Sequence, residues 1–168
     1  MDFNKQSLFV QYFDNFLTPK ELEHYQKLIT TLEYAPQSNT QGVYGFRHNL
    51  NRLDFAKTDV YKRIKNTFFK DHKLIQGETA FHLRHNANQV MVHTDTESEY
   101  NFLLYIKGEP LFNNGTGFYV NGELSSHVGW VENRAIFFNG NHIAHTDLQA
   151  LGQSEARYTL NIFFGEPK

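Results

Sequence analysis

The chain has 168 residues, 40% of them hydrophobic and 20% charged, a balance that suits one globular domain and excludes a disordered tract. A formal charge of −2 gives no field for gathering nucleic acid, and no apolar run approaches the roughly 18 residues that a membrane span needs. There is no cysteine, which rules out disulfides, thiolate metal ligands and a cysteine nucleophile. The stretch from Met1 to Tyr12 is polar with short apolar runs and reads as no secretory signal, so the expected location is the cytoplasm. Sixteen Phe and nine Tyr favour strands and aromatic-lined cavities.

In chain order, residues 8–13 read as a short first strand. Thr18-Pro19-Lys20-Glu21 is a helix start: threonine caps, proline suits the first turn, and glutamate completes a capping box. Leu22, Tyr25, Leu28, Ile29 and Leu32 then recur at helical spacing, and Pro36 closes the element. Residues 37–52, rich in Asn, Gln, Gly and Tyr, read as loop with room for a short strand. A second helix is expected over 58–70, where Val60, Ile64 and Phe68 lie on one face.

From about Gly77 the character changes. Short β-rich runs at 79–84, 89–93, 101–106, 116–120, 127–131, 135–139, 142–147 and 158–164 alternate with turn signals such as Asn121-Gly122 and Asn139-Gly140. Such spacing predicts a mainly β fold with N-terminal helices, its core a jelly roll (a cupin-like double-stranded β-helix). The expected organisation is a single domain, with helical support over about 18–72 and the jelly-roll core over about 77–165.

The chemistry is carried by His93-Thr94-Asp95. Alternate side chains of a strand share a face, so His93 and Asp95 can grip one ion. Two imidazoles and one carboxylate hold iron(II) on one face and leave the opposite face open to ligands. The doublet alone is a weak signal in a chain with nine histidines, and it occurs twice, because His145-Thr146-Asp147 matches as well. Only the first copy has histidines downstream, namely His127, His142 and His145, so order makes His93 and Asp95 the front pair. His145, delivered by an apolar strand and an Asn-Gly turn, is the expected distal ligand. His142 is the alternative, on the opposite face and close to that turn.

Arg157, Thr159 and Asn161 share one face of the last strand, with Tyr158, Leu160 and Ile162 on the other. A guanidinium among Phe and Leu needs an anionic partner and fits a carboxylate with two hydrogen bonds. Arg157 with the Thr159 hydroxyl is therefore expected to take the far carboxylate of an oxo-acid cosubstrate. The competing reading is a surface ion pair with Glu155 or Glu166.

In this order the residues resemble the iron(II)- and 2-oxoglutarate-dependent dioxygenases, especially their prolyl-hydroxylase-like branch: His-x-Asp, a distal His, then Arg-x-Ser/Thr. Phe16-Leu17-Thr18-Pro19-Lys20-Glu21-Leu22 is similar to the strand-to-helix start of that branch. The runs Asn101–Lys107 and Gly115–Val120 are similar to the strands after its metal doublet, and the likeness covers roughly residues 13–164. The resemblance implies that His93, Asp95 and His145 hold iron(II), and that Arg157 and Thr159 bind 2-oxoglutarate with help from Tyr105, whose alternative is a core aromatic. Where that branch has Arg-Tyr before the doublet, this chain has Arg84-His85, making His85 a further candidate for contacting the cosubstrate. The interval from His145 to Arg157 is longer than in many relatives and implies an extended turn at 151–155.

The implied activity is O2-dependent hydroxylation of an unactivated C–H bond with release of succinate and CO2. Asp95 points to hydroxylation, because related halogenating enzymes lack that carboxylate. The branch implies a prolyl or similar side chain of a peptide or protein as substrate, with a small metabolite or free amino acid second. Nucleobase repair is disfavoured, since that branch carries Arg-x-Asn followed by another arginine, and neither nucleic acid nor membrane is an expected partner. The stretch from Tyr44 to Arg52 is expected to cover the site mouth, its alternative an ordinary surface loop. A cupin-like metal-binding or structural module without oxygenase activity, or a hydrolytic zinc site, stays open, as does the oligomeric state.

Overall fold

The computed structural model describes residues 9–40, 42–85, 91–110, 114–148 and 156–167. Three helices, α1 (Pro19–Ile29), α2 (Arg52–Phe55) and α3 (Asp59–Phe68), precede most of the strands. The strands are β1 (Val10–Phe13), β2 (Ala35–Asn39), β3 (Gly42–Asn49), β4 (Ile75–Arg84), β5 (Tyr100–Lys107), β6 (Gly115–Val120), β7 (Glu123–Gly129), β8 (Ala135–Phe138), β9 (Ala144–Asp147) and β10 (Arg157–Gly165). They form two antiparallel sheets, a seven-stranded one in the order β1-β8-β5-β10-β4-β3-β2 and a three-stranded one in the order β7-β6-β9. This is the jelly-roll core that the strand spacing predicts.

The large sheet is buried on both faces, and each face has its own apolar cluster. On β5 and β10, Phe102, Leu104, Ile106, Leu160, Ile162 and Phe164 point one way, onto Ile29 of α1 and Val60, Ile64 and Phe68 of α3. Leu103, Tyr105, Ile136 and Phe138 point the other way, onto Phe118, Val128 and Trp130 of the small sheet. A strand covered on both sides reads as a continuous apolar run, which is why β5 (YNFLLYIK) and β8 (AIFF) show no alternation. The polar residues that do point inward, His82, Arg84, Asn101, Thr159 and Asn161, line a cavity between the sheets.

Helix α1 starts as expected. The Thr18 hydroxyl accepts from the Glu21 amide, and the Glu21 carboxylate accepts from the Thr18 amide at 2.8 Å. The same carboxylate takes two bonds from Arg63 of α3, at 2.8 and 3.1 Å, tying the helices together. Those contacts hold the Glu21 carboxyl near 2: the Arg63 bond lowers it most, and Thr18 adds to it against the opposing effect of burial.

Three local expectations are corrected. Helix α1 ends at Ile29, where the Thr30 and Thr31 hydroxyls bond the carbonyls of Lys27 and Leu28, and Pro36 lies inside β2. Residues 37–52 are not loop: β2 and β3 form a hairpin that extends the sheet beyond β4, with Gly42 at φ 131 in the turn. Polar side chains on an edge hairpin conceal the period-2 pattern. Residues 91–93 form no strand, and His93 joins the sheet only through an isolated bridge to His145. Residues 8, 89–90 and 151–155 lie outside the described set. Among the described residues no helix is long and apolar enough to cross a membrane.

Candidate metal centre

The isolated bridge is what builds the site. His93 and His145 exchange both backbone hydrogen bonds, N–H to O at 3.1 and 2.8 Å, and so stand directly opposite one another. Side chains of such a pair project to the same side of the ladder, and the two rings lie with centroids 4.6 Å apart. The Nδ1 of His93 lies 2.9 Å from the Met91 carbonyl, and that of His145 2.9 Å from the Ile143 carbonyl. Only an Nδ1–H can bond a carbonyl, so each contact fixes the tautomer that leaves Nε2 with its lone pair. Both Nε2 atoms turn toward Asp95. Its Oδ2 is 3.2 Å from Nε2 of His145, and its Oδ1 is 3.7 Å from Nε2 of His93.

Asp95 is itself held from two sides. Its backbone N–H donates to the Gly140 carbonyl at 2.9 Å, and the Asn101 side-chain amide donates to Oδ2. Gly140 is required here: a Cβ on it would stand 2.7 Å from Asp95 Oδ2 and 2.8 Å from Asn101 Nδ2. Burial pushes the Asp95 carboxyl up, but His145, Asn101 and His93 together outweigh it, and the net shift is downward. Burial lowers the His93 imidazole as well, with His145 adding to it against the Met91 bond and Asp95. Both shifts favour the forms that bind a divalent ion, an ionised carboxylate and an unprotonated His93 imidazole.

The donor atoms of His93, Asp95 and His145 all lie within 4.8 Å of one another. Metal–ligand bonds of about 2.1 Å meeting near 90° put donors about 3 Å apart, so separations of 3.2 and 3.7 Å suit a shared ion. Two nitrogens and one oxygen on one side fit a first-row divalent metal with open positions opposite. His142 is exposed, sits in the turn after Asn139 and has no place in this cluster.

A cavity of about 90 Å³ surrounds the three side chains, lined also by His82, Arg84, Thr116, Thr159 and Asn161. A second, of about 240 Å³, shares His82, Arg84, His93 and Asp95 with it and adds Tyr44 and Arg47 of β3. Of the stretch from Tyr44 to Arg52, Tyr44 and Arg47 line this second cavity, and they do so from a strand and not from a loop.

The remaining sequence-predicted residues divide. Thr159 is buried on the cavity wall, its hydroxyl donating to Asn161 Oδ1 at 2.6 Å. Arg157 is only 1% exposed and lines neither cavity. Its guanidinium pairs with Asp147, donates to Asn114 Oδ1 and the Gly115 carbonyl at 3.1 and 3.0 Å, and lies 5.1 Å from the Trp130 ring. Burial pulls its pKa down to about 10, which leaves it cationic at neutral pH. Among the described residues its anionic partner is thus Asp147, while Glu155 lies outside them.

Tyr105 is a core aromatic, stacked 4.1 Å from Trp130, with its hydroxyl 2.7 Å from Thr116 Oγ1. Burial raises that phenol to about 12, so it keeps its proton. His85 is exposed, its ring 5.7 Å from Phe46, and it borders neither cavity. Sequence reasoning missed Asn101, Gly140, His82 and the role of Asp147. An Asn inside a buried apolar strand and a second His-x-Asp were the available signals.

No protein-family model matches the sequence, and no curated protein matches it. Solved structures do match, over nearly the whole chain. A 2OG-Fe(II) oxygenase family oxidoreductase from Burkholderia pseudomallei aligns with TM-score 0.70 and 12% identity, over 93% of this chain and 85% of that one. A prolyl-4-hydroxylase from Pseudomonas putida aligns with TM-score 0.64 and 14% identity, over 96% and 95%. The viral collagen prolyl hydroxylase of Paramecium Bursaria Chlorella virus-1, solved as a 2OG complex, aligns with TM-score 0.65 and 13% identity, over 95% and 97%. The chain has the fold of the 2OG-Fe(II) oxygenases. Within that class it is similar to prolyl hydroxylases in both size and layout.

Proposed function

We propose that this chain is an iron(II)- and 2-oxoglutarate-dependent dioxygenase that hydroxylates an unactivated C–H bond of a peptide side chain, prolyl or similar. One observation carries the reading. Two imidazoles held by backbone carbonyls and one carboxylate held by Asn101 present their free donor atoms within 4.8 Å, on the wall of an open cavity. His93, Asp95 and His145 would hold the iron, which when bound supplies the power to activate O2 and drive oxidative decarboxylation of the oxo acid to succinate and CO2.

The protein's own contribution is positional. Backbone pairing sets the two histidines opposite each other, Asn101 orients the carboxylate, and Arg84 of β4 brings a guanidinium to the cavity wall. The 240 Å³ space beside the triad, edged by Tyr44 and Arg47, gives the second substrate its approach.

The test is an assay of 2-oxoglutarate-dependent succinate release and O2 uptake with iron(II) and a peptide library read for a 16 Da gain. Activity in the wild type and its loss in Asp95→Ala support the reading. Undiminished turnover in Asp95→Ala, or tight zinc binding with neither succinate nor O2 consumption, refutes it. Mass gain on metabolites or free amino acids with none on peptides moves the substrate class and leaves the chemistry standing.

A further inference from the structure

This inference rests on the oxygenase reading above and concerns what an oxidising centre does to its own wall. The chain carries two sulfur atoms, those of Met1 and Met91, and no cysteine. Met91 precedes the ligand His93 by two residues, and its carbonyl is the one that holds His93 Nδ1 at 2.9 Å. It lines the 240 Å³ cavity together with His93 and Asp95. At 39% exposure its side chain is not shielded by packing. Its sulfur lies 3.5 Å from the side-chain amide nitrogen of Asn39, the last residue of β2.

A thioether is the most readily oxidised group on that wall, because a sulfur lone pair yields before a C–H bond breaks. The phenol of Tyr44 is its nearest rival in the same cavity. An oxidant strong enough for an unactivated C–H bond exceeds what a thioether requires. The second substrate approaches through this cavity, so in its absence Met91 is the oxidisable group left beside the metal ligands. The balance closes with the co-reactants of the proposed activity. O2 gives one oxygen atom to sulfur and one to the new carboxylate of succinate. Sulfur and the oxo acid each lose two electrons, the acid's C1–C2 bond breaks, CO2 leaves, and no proton is gained or lost.

We propose that Met91 is oxidised to its sulfoxide by the chain's own metal centre when no second substrate fills the cavity. The change turns a weak acceptor into a strongly polar one. It does so against Asn39, so the sulfoxide oxygen accepts a full hydrogen bond from the Asn39 amide. That bond ties the β2–β3 hairpin, which ends in the Asn39–Gly42 pair, to the residue beside the metal ligand. Idle turnover thereby narrows the second substrate's approach.

The test incubates the full chain with iron(II), 2-oxoglutarate, O2 and catalase, with no peptide or metabolite added, and reads the digested protein by mass spectrometry. A gain of about 16 Da on Met91 is expected, rising in step with succinate and reversed by methionine sulfoxide reductase. Met91→Leu loses that gain. Amide hydrogen exchange over residues 35–49 should slow about fivefold in the oxidised chain, the worth of one added hydrogen bond, and should not slow in Asn39→Ala. The same exchange measurement on metal-free chain oxidised with peroxide reads the hairpin tie without turnover. Succinate release with Met91 unmodified, a gain on Tyr44 in its place, or an equal gain without the oxo acid overturns the proposal. Unchanged exchange in the sulfoxide overturns the narrowing of the approach. A chain that releases no succinate fails the function proposed above and takes the self-oxidation with it, whereas succinate without the mass gain fails the self-oxidation alone.

Discussion

Gly140→Ala tests whether the metal centre is built as described. The backbone there is not in the left-handed region, so alanine brings no conformational strain of its own. What it brings is a Cβ 2.7 Å from Asp95 Oδ2 and 2.8 Å from Asn101 Nδ2, where ordinary contact begins at 3.4 Å. Gly140 cannot retreat freely, because its carbonyl accepts the Asp95 N–H at 2.9 Å. The carboxylate must therefore give way by roughly 0.7 Å, the difference between 3.4 and 2.7 Å. Metal–ligand distances tolerate about 0.2 Å, so the displaced oxygen leaves the geometry that the two imidazoles define. A weakening of metal affinity by about 10–100-fold follows, the scale on which supporting residues act. Titration with Mn(II) or Co(II) measures it, and a thermal melt of the metal-free protein serves as control. The melt should move little, since the clash is with side-chain ends and not with the core. Wild-type metal affinity in Gly140→Ala would mean that Asp95 does not ligate from this position, and the centre as assigned would be wrong.

Replacing Arg157 by Met leaves Asp147 paired with Arg84 but strips the buried Asn114 side chain and Gly115 carbonyl of a charged donor, a loss of about 2–3 kcal/mol that lowers Tm by about 4–12 °C. A melt within about 2 °C of wild type would show those contacts to be ornamental. Burial depresses the His82 imidazole to about 3, so its contribution to stability is present above 6.5 and drains away as pH falls from 6.5 toward 3. His82→Gln should flatten that part of the Tm–pH curve, and an unchanged slope refutes a buried neutral imidazole. The Glu21 carboxyl, held near 2 by Arg63 and Thr18, stabilises the fold above 4.5 and ceases to do so as pH falls to about 2. Glu21→Gln should therefore melt lower than wild type at pH 7 and alike at pH 2, as calorimetry at the two values can show.

Legibility in the sequence followed burial. The capping box at Thr18 and the spacing of Val60, Ile64 and Phe68 are local or helical signals, and the structure holds both. The runs around Leu103, Phe137 and Leu160 stand out because both faces of the large sheet are covered. The β2–β3 hairpin did not stand out: it lies at the sheet edge, where Ser38 and Asn39 face water and no alternation is required. At the site, the histidines and Asp95 are named by their chemistry, but their juxtaposition comes from a bridge between residues 93 and 145, a long-range pairing that no local pattern encodes. Asn101 was legible only as an oddity, a polar residue in YNFLLYIK. His82 and Arg84 were obscured by the adjacent His85, because which face of β4 turns inward depends on its register with β10.

The two His-Thr-Asp segments show why a motif alone does not assign a role. They are identical in sequence, and they meet antiparallel at their histidines, so both imidazoles enter one centre. Antiparallel pairing then sends the two carboxylates to opposite sides of that bridge. Asp95 emerges beside Gly140 and Asn101, where its oxygens face both Nε2 atoms and, among the described residues, pair with no Lys or Arg. Asp147 emerges toward β4 and β10, where two guanidinium groups claim both of its oxygens. A carboxylate shared by two arginines is a poor metal ligand, because binding an ion would cost both pairs, whereas one held only by an amide remains free to bind. The division of labour between Asp95 and Asp147 is therefore fixed by their neighbours. Exchanging the settings, by Arg84→Met with Arg157→Met, should leave Asp147 free of cations without making it a ligand, since it would still lie on the far side of the bridge.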